Sequence, residues 1–452
     1  MIDNQSAGSI NGGKLEFKVA LPLFMVVLID AFSVTVILPL LPYYGTAFGM
    51  EIVGLGVLLA TSPVFESLSW PMYSILAKKL GRRPVLIVSQ LGTFVGFLIL
   101  GTASAVWMLF LARIIDGVAS GNNTIGRKLV RDTLTPDTRT HGLGMIEAAY
   151  SLGFLVGPFV GLLTLALTDE NYRMIPYVAA GISLFAVILS VLLSEETLPV
   201  ESRRSSGLSL REKITAKVAP LRKPNLLFLF VIFFLVQFSY IGFIEYFGLF
   251  ALNYLGMNLL TTAGIWFLGG LVVIIIGGFI VGRLNRRYND RWLVLVGLGL
   301  LGTGLILVSM TPRVPVLWYS RTEIIEELTL DVSIHGDYEI SPEMLVDLPS
   351  EDAAGWLGFG WFLIALILIM VGVSMLIPAT KSLLMGGVEN YRTSGILLIS
   401  GILYKSALII VPLILGFAIW QFGFSAPFLI EGLILVILLV FTFRLMKSGT
   451  EA

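Results

Sequence analysis

The chain contains no cysteine and only 2 histidines among its 452 residues. Without cysteine it forms no disulfide, no thiolate metal site and no thiol nucleophile. The sequence also lacks a Gly-Lys-Ser or Gly-Lys-Thr phosphate-binding loop, which disfavours ATP-driven chemistry. It has no spacing of histidines suited to a metal and no nucleophile triad. We therefore expect no metal and no cofactor, and we do not expect an enzyme.

Charged residues are also scarce, at 13% of the chain, whereas about 25% is usual in soluble domains. Hydrophobic residues make up 56% of the sequence, and the mean hydropathy is +0.90. The net charge is zero, so nothing in the composition points to nucleic acid as a partner. Most of the protein surface is therefore expected to face membrane lipid or other helices.

Twelve apolar runs are long enough to cross a bilayer as helices. Residues 1–13 are polar and the first run is a full span, so we expect no cleavable signal peptide. The predicted spans are 19–42, 52–77, 84–103, 106–126, 141–167, 174–193, 226–252, 261–282, 292–311, 353–380, 393–420 and 424–445.

The basic residues fall on one side of these spans. Every lysine and arginine lies in the segments on the side of the N-terminus, except Arg113, Lys405, Arg173, Arg313 and Arg321. This positive-inside bias predicts that both termini are cytoplasmic. It predicts a multi-pass protein of the plasma (inner) membrane.

The spans divide into two halves. A cytoplasmic tail, 1–18, precedes a six-helix bundle, 19–193, and a polar cytoplasmic linker, 194–225, leads to a second six-helix bundle, 226–446. Residues 312–352 form an acidic segment outside the membrane, between spans nine and ten. Its alternating pattern around a Gly-Asp turn, with helix starts after it, predicts a small α/β insert. A solvated acidic cap is the simpler interpretation, and a vestibule for cations or a docking site is the alternative.

A short basic hinge, Gly81-Arg82-Arg83-Pro84, joins spans two and three. A weaker copy at 278–287 joins spans eight and nine. Equivalent motifs in two halves of six spans are typical of transporters built from repeats.

The hinge resembles the loop between helices two and three of the major facilitator superfamily. Lys78 stands where that family has an aspartate that pairs with arginine at the interface of the bundles, so this latch is not expected here. The resemblance implies the major facilitator fold. The predicted fold is thus an all-α membrane protein, with 12 transmembrane helices in two pseudo-symmetric six-helix bundles and a small α/β extracytoplasmic insert.

Span five carries a glycine motif made of Gly144, Gly153, Gly157, Pro158 and Gly161. It resembles the antiporter motif of the same superfamily, although the motif's last glycine is a leucine here. The resemblance implies antiport. The glycines also indicate close helix packing, on a face that we expect to lie between the bundles.

Four ionisable residues within spans one, four and seven are candidates for a transport site: Asp30, Arg113, Asp116 and Glu245. Ionisable groups inside spans are costly and are functional candidates by default. Arg113 and Asp116 are three residues apart, so they can pair within one helix. The stretch from Arg113 resembles the Arg-x-x-Gln-Gly motif of proton-coupled members. Since helices one, four and seven line the cavity in that superfamily, the resemblance implies one cluster, with a static ion pair as the alternative.

A carboxylate that moves between an apolar environment and an arginine binds and releases a proton. The expected function is therefore secondary active transport, in which an apolar or cationic small molecule is exported in exchange for protons. Two alternatives remain open. One is a metabolite symporter or facilitator, and the other is a transport-inactive sensor or scaffold that uses the acidic insert. We expect a monomer.

Glu66 in span two and Lys405 in span eleven lie at similar depths. Because helices two and eleven abut across the bundle interface in the superfamily, the resemblance implies a buried Glu66–Lys405 pair, either a clamp or a latch. Glu147 and Glu431 lie near span ends. We expect both to be interfacial or paired with loops.

Span seven also carries aromatic residues. Phe238 and Tyr240, together with Gln237 and with Tyr150 of span five, are predicted to form a wall for an apolar substrate. Helix packing is the simpler interpretation, because aromatic side chains are common in any span.

Overall fold

We describe the protein from a computed structural model of the whole chain. The structure describes residues 12–37, 40–121, 125, 139–168, 171–193, 224–255, 257, 259–276, 281–312, 355–386 and 393–448. Most of the predicted linker and nearly all of the predicted acidic insert lie outside these residues. Their predicted structures therefore stay predictions.

The described residues form fourteen helices. They are α1 (Gly12–Ile37), α2 (Leu40–Ala47), α3 (Ile52–Lys79), α4 (Arg82–Gly101), α5 (Val106–Ala119), α6 (Arg139–Leu167), α7 (Met174–Leu193), α8 (Pro224–Leu255), α9 (Leu259–Ile274), α10 (Gly282–Arg287), α11 (Asp290–Ser309), α12 (Gly355–Gly386), α13 (Thr393–Phe422) and α14 (Ser425–Ser448). Among the described residues, 9 helices are long and apolar enough to cross a membrane. Two shorter apolar helical segments are Val156–Leu167, at the end of α6, and Leu259–Ile274, which is α9. The all-helical membrane character is confirmed, while the count of twelve spans stays a prediction.

The first predicted span overlaps the observed helical region. It was expected at 19–42, and the described residues on this stretch are α1 (Gly12–Ile37) and α2 (Leu40–Ala47). The candidate membrane span in the structure runs from Phe24 to Ala47, so it extends beyond the predicted end.

Helices pack in pairs within each half of the chain. In the N-terminal half α1 lies against α6 and α7, and α4 lies against α5 and α7; in the C-terminal half α11 lies between α12 and α14. Glycines allow these close approaches: a Cβ built on Gly304 of α11 would lie 3.0 Å from the Ala365 carbonyl oxygen of α12. The halves meet where α3 packs on α13 and α6 packs on α9.

Two faces of the molecule are used as landmarks below. The basic face carries residues 78–83 and 283–291, and the distal face carries the turns at 48–51, 102–105 and 423–424. At the basic face Gly81 has φ 101°, a value that favours glycine, so the expected sharp turn is present. Arg83 donates a hydrogen bond to the Val191 carbonyl oxygen at 2.5 Å. This hydrogen bond fastens the hinge to α7 of its own half.

The glycine motif of α6 packs inside the N-terminal half. A Cβ on Gly153 would lie 3.0 Å from the Ala31 carbonyl carbon, and Thr35 Oγ1 donates to the Gly153 carbonyl oxygen at 2.7 Å. The expectation that this face lies between the two bundles is therefore wrong. The reason is that glycine spacing reports a close approach but not the helix that makes it. The implied link of the motif to antiport stays a prediction.

Candidate transport site

Arg113 and Asp116 form an ion pair on α5. Arg113 Nη1 lies 3.0 Å from Asp116 Oδ2, and both side chains are largely buried. The predicted pairing at a spacing of three residues is therefore confirmed. The same carboxylate oxygen also accepts a hydrogen bond from the Ser62 hydroxyl at 2.9 Å. Asp116 is thus held by a cation on its own helix and by a hydroxyl donor on α3.

The glycine after Asp116 explains why Ser62 can reach it. A Cβ on Gly117 would lie 2.9 Å from the Phe65 Cβ and 3.0 Å from the Ser62 Cα, so α3 and α5 could not approach this closely with any other residue there. Sequence reasoning did not identify Ser62. A serine in an apolar helix gives no signal of its own, because its hydroxyl could equally bond the preceding turn.

Glu245 is the residue of the C-terminal half that lies within electrostatic reach of this pair. Its side chain on α8 is buried, and Arg113 is close enough to interact with it electrostatically. One carboxylate oxygen of Glu245 is buried without a hydrogen-bond partner among the described residues. Arg113 therefore lies within electrostatic reach of two acids, one in each half. We name Arg113, Asp116, Glu245 and Ser62 the Arg113 cluster.

Asp30 is buried on α1, as expected of a site residue. It also takes part in an interaction within the structure. Its predicted place in the Arg113 cluster stays a prediction.

The aromatic residues on α8 pack against the main hydrophobic core. Phe238 lies 6.1 Å from Phe234 between ring centroids, Tyr240 is partly buried, and Gln237 is buried. These contacts agree with the helix-packing interpretation, and the substrate wall stays a prediction. The side chain of Tyr150 lies outside the described part of the chain.

Glu66 and Lys405 form the predicted ion pair between α3 and α13, joining Lys405 Nζ to Glu66 Oε2. The pair is less buried than expected, because the side chain of Lys405 is 36% exposed and that of Glu66 is 22% exposed. Partly exposed ion pairs contribute little to stability. The geometry therefore favours a latch between the halves over a strong structural clamp.

Disrupting this pair should have a small but measurable effect. Glu66→Gln and Lys405→Met are each expected to lower transport two- to fivefold, corresponding to about 0.5–1 kcal/mol for a partly exposed pair. The charge-swapped variant, Glu66→Lys with Lys405→Glu, should recover part of the loss. A double-mutant cycle on the transport rate measures this coupling, and strictly additive single effects would reject the latch.

Contacts between the halves close the distal side of the molecule. The Tyr43 hydroxyl on α2 lies 2.8 Å from the Thr262 hydroxyl on α9 and donates to the Met257 carbonyl oxygen at 3.2 Å. On the other side of the interface, the ring centroids of Phe159 on α6 and Phe267 on α9 are 5.1 Å apart. The distal ends of the two bundles are therefore joined in this conformation.

The halves also approach each other closely where α3 crosses α13. A Cβ on Gly416 would lie 3.4 Å from the Gly56 Cα and 3.1 Å from the Ile52 carbonyl oxygen. Tyr246 of α8 reaches the same point and donates to the Pro412 carbonyl oxygen at 2.6 Å. We call Gly56, Gly416, Tyr246 and Pro412 the distal crossing. Sequence reasoning had identified none of the four, because isolated glycines in a span are common.

Glu431 does not lie where the sequence predicted. Its side chain on α14 is only 5% exposed, and both carboxylate oxygens are buried without a hydrogen-bond partner among the described residues. The expectation of an interfacial or loop-paired glutamate is therefore wrong. Counting residues from the end of a span gives depth but not the face of the helix, and this face points inward. The side chain of Glu147 lies outside the described part of the chain.

Comparisons with known proteins identify the family. The Major Facilitator Superfamily profile matches residues 23–322. The class E tetracycline resistance protein of Escherichia coli is 27% identical over 313 residues, which is 65% of this chain and 73% of that protein. The crystal structure of the human organic anion transporter MFSD10 (TETRAN) aligns with a TM-score of 0.60 and 22% identity, over 94% of this chain and 99% of that one. A bacterial homologue of the human lysosomal transporter Spinster, in an inward-facing and unoccupied conformation, aligns with a TM-score of 0.69 and 14% identity, over 98% and 99%.

The chain belongs to the Major Facilitator Superfamily, because the family profile covers more than half of it. The resemblance to this superfamily, drawn from the hinge and from spans four and five, is thereby confirmed, while the implied proton coupling stays a prediction. The protein is an integral, multi-pass membrane transporter of small molecules and not an enzyme. The two similar solved structures, both under 25% identical, support the fold alone.

Proposed function

We propose that this transporter exports an apolar or cationic small molecule from the cytoplasm in exchange for protons, across the plasma (inner) membrane and with both termini cytoplasmic. The observation that carries the proposal is that Arg113 forms an ion pair with Asp116 of its own half, while the buried Glu245 of the other half lies within its electrostatic reach. A cation between two acids is a site at which protonation changes the attraction between the two bundles.

The charges of the Arg113 cluster favour a cationic or neutral substrate. Two acids face one arginine, so the cluster carries an excess of negative charge when both acids are ionised. Like charges brought together in a low-dielectric site repel strongly, so the cluster disfavours an anion. Similarity to the tetracycline resistance proteins makes tetracycline the first probe. The similar structure of MFSD10, a human organic anion transporter, makes an anionic probe the necessary comparison.

Alternating access follows from the position of the cluster. With the distal ends joined, a substrate at the cluster would leave or enter through the basic face. When the distal side is open, a proton from outside neutralises Glu245, which weakens the attraction between Arg113 of α5 and α8 and accompanies the release of substrate there. The protonated transporter then returns to the distal-closed state, where the proton leaves to the cytoplasm as the next substrate binds. A ligand shifts such a two-state equilibrium only by its differential affinity for the two states.

The direct test uses purified protein in proteoliposomes that contain a trapped pH dye. Tetracycline, tetraphenylphosphonium as a permanent cation and fluorescein as an organic anion are supplied in turn. We expect tetracycline or the cation to drive proton movement in the opposite direction, and an imposed pH gradient to accelerate its flux. A substrate flux that does not change with the imposed pH gradient would reject antiport. Proton movement in the same direction as the substrate would indicate a symporter instead.

A further inference from the structure

The carboxyl group of Glu431 lies where three helices of the C-terminal half meet. A Cβ on Gly242 of α8 would overlap Leu415 of α13 and would lie 3.4 Å from Glu431 Oε1 of α14. Gly242 is therefore the position on α8 that leaves space for the glutamate. The Ser239 hydroxyl, also on α8, lies beside the carboxyl group, although neither carboxyl oxygen meets the geometry of a hydrogen bond.

No cation compensates this carboxyl group in the part of the chain that the structure describes. The titratable and charged residues of the helices packed against α14 are Tyr240, Glu245, Tyr246 and Tyr254 of α8, Tyr404 and Lys405 of α13, and Asp290 and Arg291 of α11. Only two of them are basic. Lys405 is paired with Glu66. Arg291 is about 16 Å along α11 from Gly302, the residue that packs on Gly432 next to Glu431, at 1.5 Å per residue.

A carboxylate anion without a donor or a countercharge is strongly disfavoured in an apolar interior. The neutral acid is the form that this space accommodates, because it removes the charge while keeping the shape of the side chain. We infer that Glu431 is a second proton-binding site of this transporter, separate from the Arg113 cluster and located in the C-terminal bundle. The inference rests on the proposed proton exchange for its role in transport.

The location of Glu431 also connects it to the movement of α8. That helix carries Glu245 of the Arg113 cluster and Tyr246 of the distal crossing, and its Gly242 contacts both α13 and α14. When the distal side opens, the Tyr246 contact with Pro412 must change, so the packing at Gly242 changes with it. Such a shift would admit water to Glu431 and allow its proton to leave. Glu245 on α8 and Glu431 on α14 would then each carry one proton, so that two protons are exchanged for one substrate.

The first test observes the proton itself and does not depend on transport. The infrared spectrum of purified protein at neutral pH should contain a carbonyl stretch of a protonated carboxylic acid. Glu431→Gln should remove that contribution, because glutamine has the same shape and no acidic proton. Glu51→Gln, at an exposed glutamate, serves as the matched control and should leave the band unchanged. An unchanged band in Glu431→Gln would overturn the inference.

The second test measures how many protons move per tetracycline, from the reversal potential in proteoliposomes. The ratio should fall by one proton in Glu431→Gln and should be kept in Glu431→Asp, which retains an acid. The second proton site would be overturned if wild type and Glu431→Gln moved the same number of protons per tetracycline. It would also be overturned if a sodium gradient drove tetracycline flux in wild type but not in Glu431→Gln. If wild-type flux is not coupled to protons at all, the proposed exchange fails, and the infrared band still decides whether Glu431 holds a proton.

Discussion

Replacing Arg113 with glutamine is expected to reduce proton-driven tetracycline transport at least about 100-fold. The substitution leaves Asp116 buried without its paired cation, and it removes the positive charge that lies within electrostatic reach of Glu245. Removing one partner of a buried ion pair costs about 3–5 kcal/mol, and each 1.4 kcal/mol corresponds to about tenfold in an equilibrium. The measurement is the initial rate of tetracycline uptake into everted vesicles or proteoliposomes under an imposed pH gradient.

Variants at the same position distinguish the loss of charge from the loss of geometry. Arg113→Lys keeps the charge but replaces a planar fork with a single ammonium group, so it cannot serve two acids on different helices equally well. We expect it to retain part of the activity. The exposed Arg291 provides the matched control, and Arg291→Gln should transport at the wild-type rate.

A further variant separates coupling from folding. In the double variant Arg113→Gln with Glu245→Gln, the cation and one of its acids are removed together, which lessens the cost of an unpaired buried charge. We expect this protein to be better folded than Arg113→Gln, with a higher melting temperature, but to show no proton coupling. Near-wild-type coupled transport in either glutamine variant would contradict the proposed role of Arg113.

The sequence was sufficient for those features that depend on spacing along one helix. Arg113 and Asp116 could be paired because residues three apart share a helix face, and the basic hinge could be placed because Gly81 interrupts two apolar runs. The Glu66–Lys405 pair was also predicted, but only with the helix neighbours implied by the family resemblance. In each case the position of a residue along a span was the quantity that mattered.

Other features depend on which face of a helix points inward, and the sequence does not indicate that face. Glu431 lies in a uniformly apolar helix, so hydropathy cannot distinguish a lipid-facing side from an inward-facing one. Ser62 became part of the site only through the close approach of α3 and α5 at Gly117. The glycine face of α6 was predicted correctly as a packing face, but its partner is α1 of the same half. Partners across space require the three-dimensional structure.

Substituting alanine for Gly56 is expected to open the distal side of the protein. A Cβ at this position would overlap the Pro412 carbonyl oxygen and would lie 2.9 Å from the Tyr246 hydroxyl. The neighbours are a backbone group and a hydrogen-bonded ring, so neither can move aside easily. Overpacking of this kind costs about 1–3 kcal/mol, which would shift the conformational equilibrium about 5- to 150-fold away from the distal-closed state. Transport should slow because one of the two alternating states becomes rare.

Spin labels can measure this shift directly, since the chain contains no cysteine that would be labelled unintentionally. Cysteines introduced at Ser104 and Gln421, both exposed at the distal face, report the separation of the two halves. Gly56→Ala should broaden their distance distribution and move it to longer values. Gly54→Ala on the same helix is the matched control, because its Cβ would meet only the flexible Met50 side chain at 3.4 Å or beyond. Equal distance distributions in the two variants would mean that the distal crossing does not control closure of the distal side.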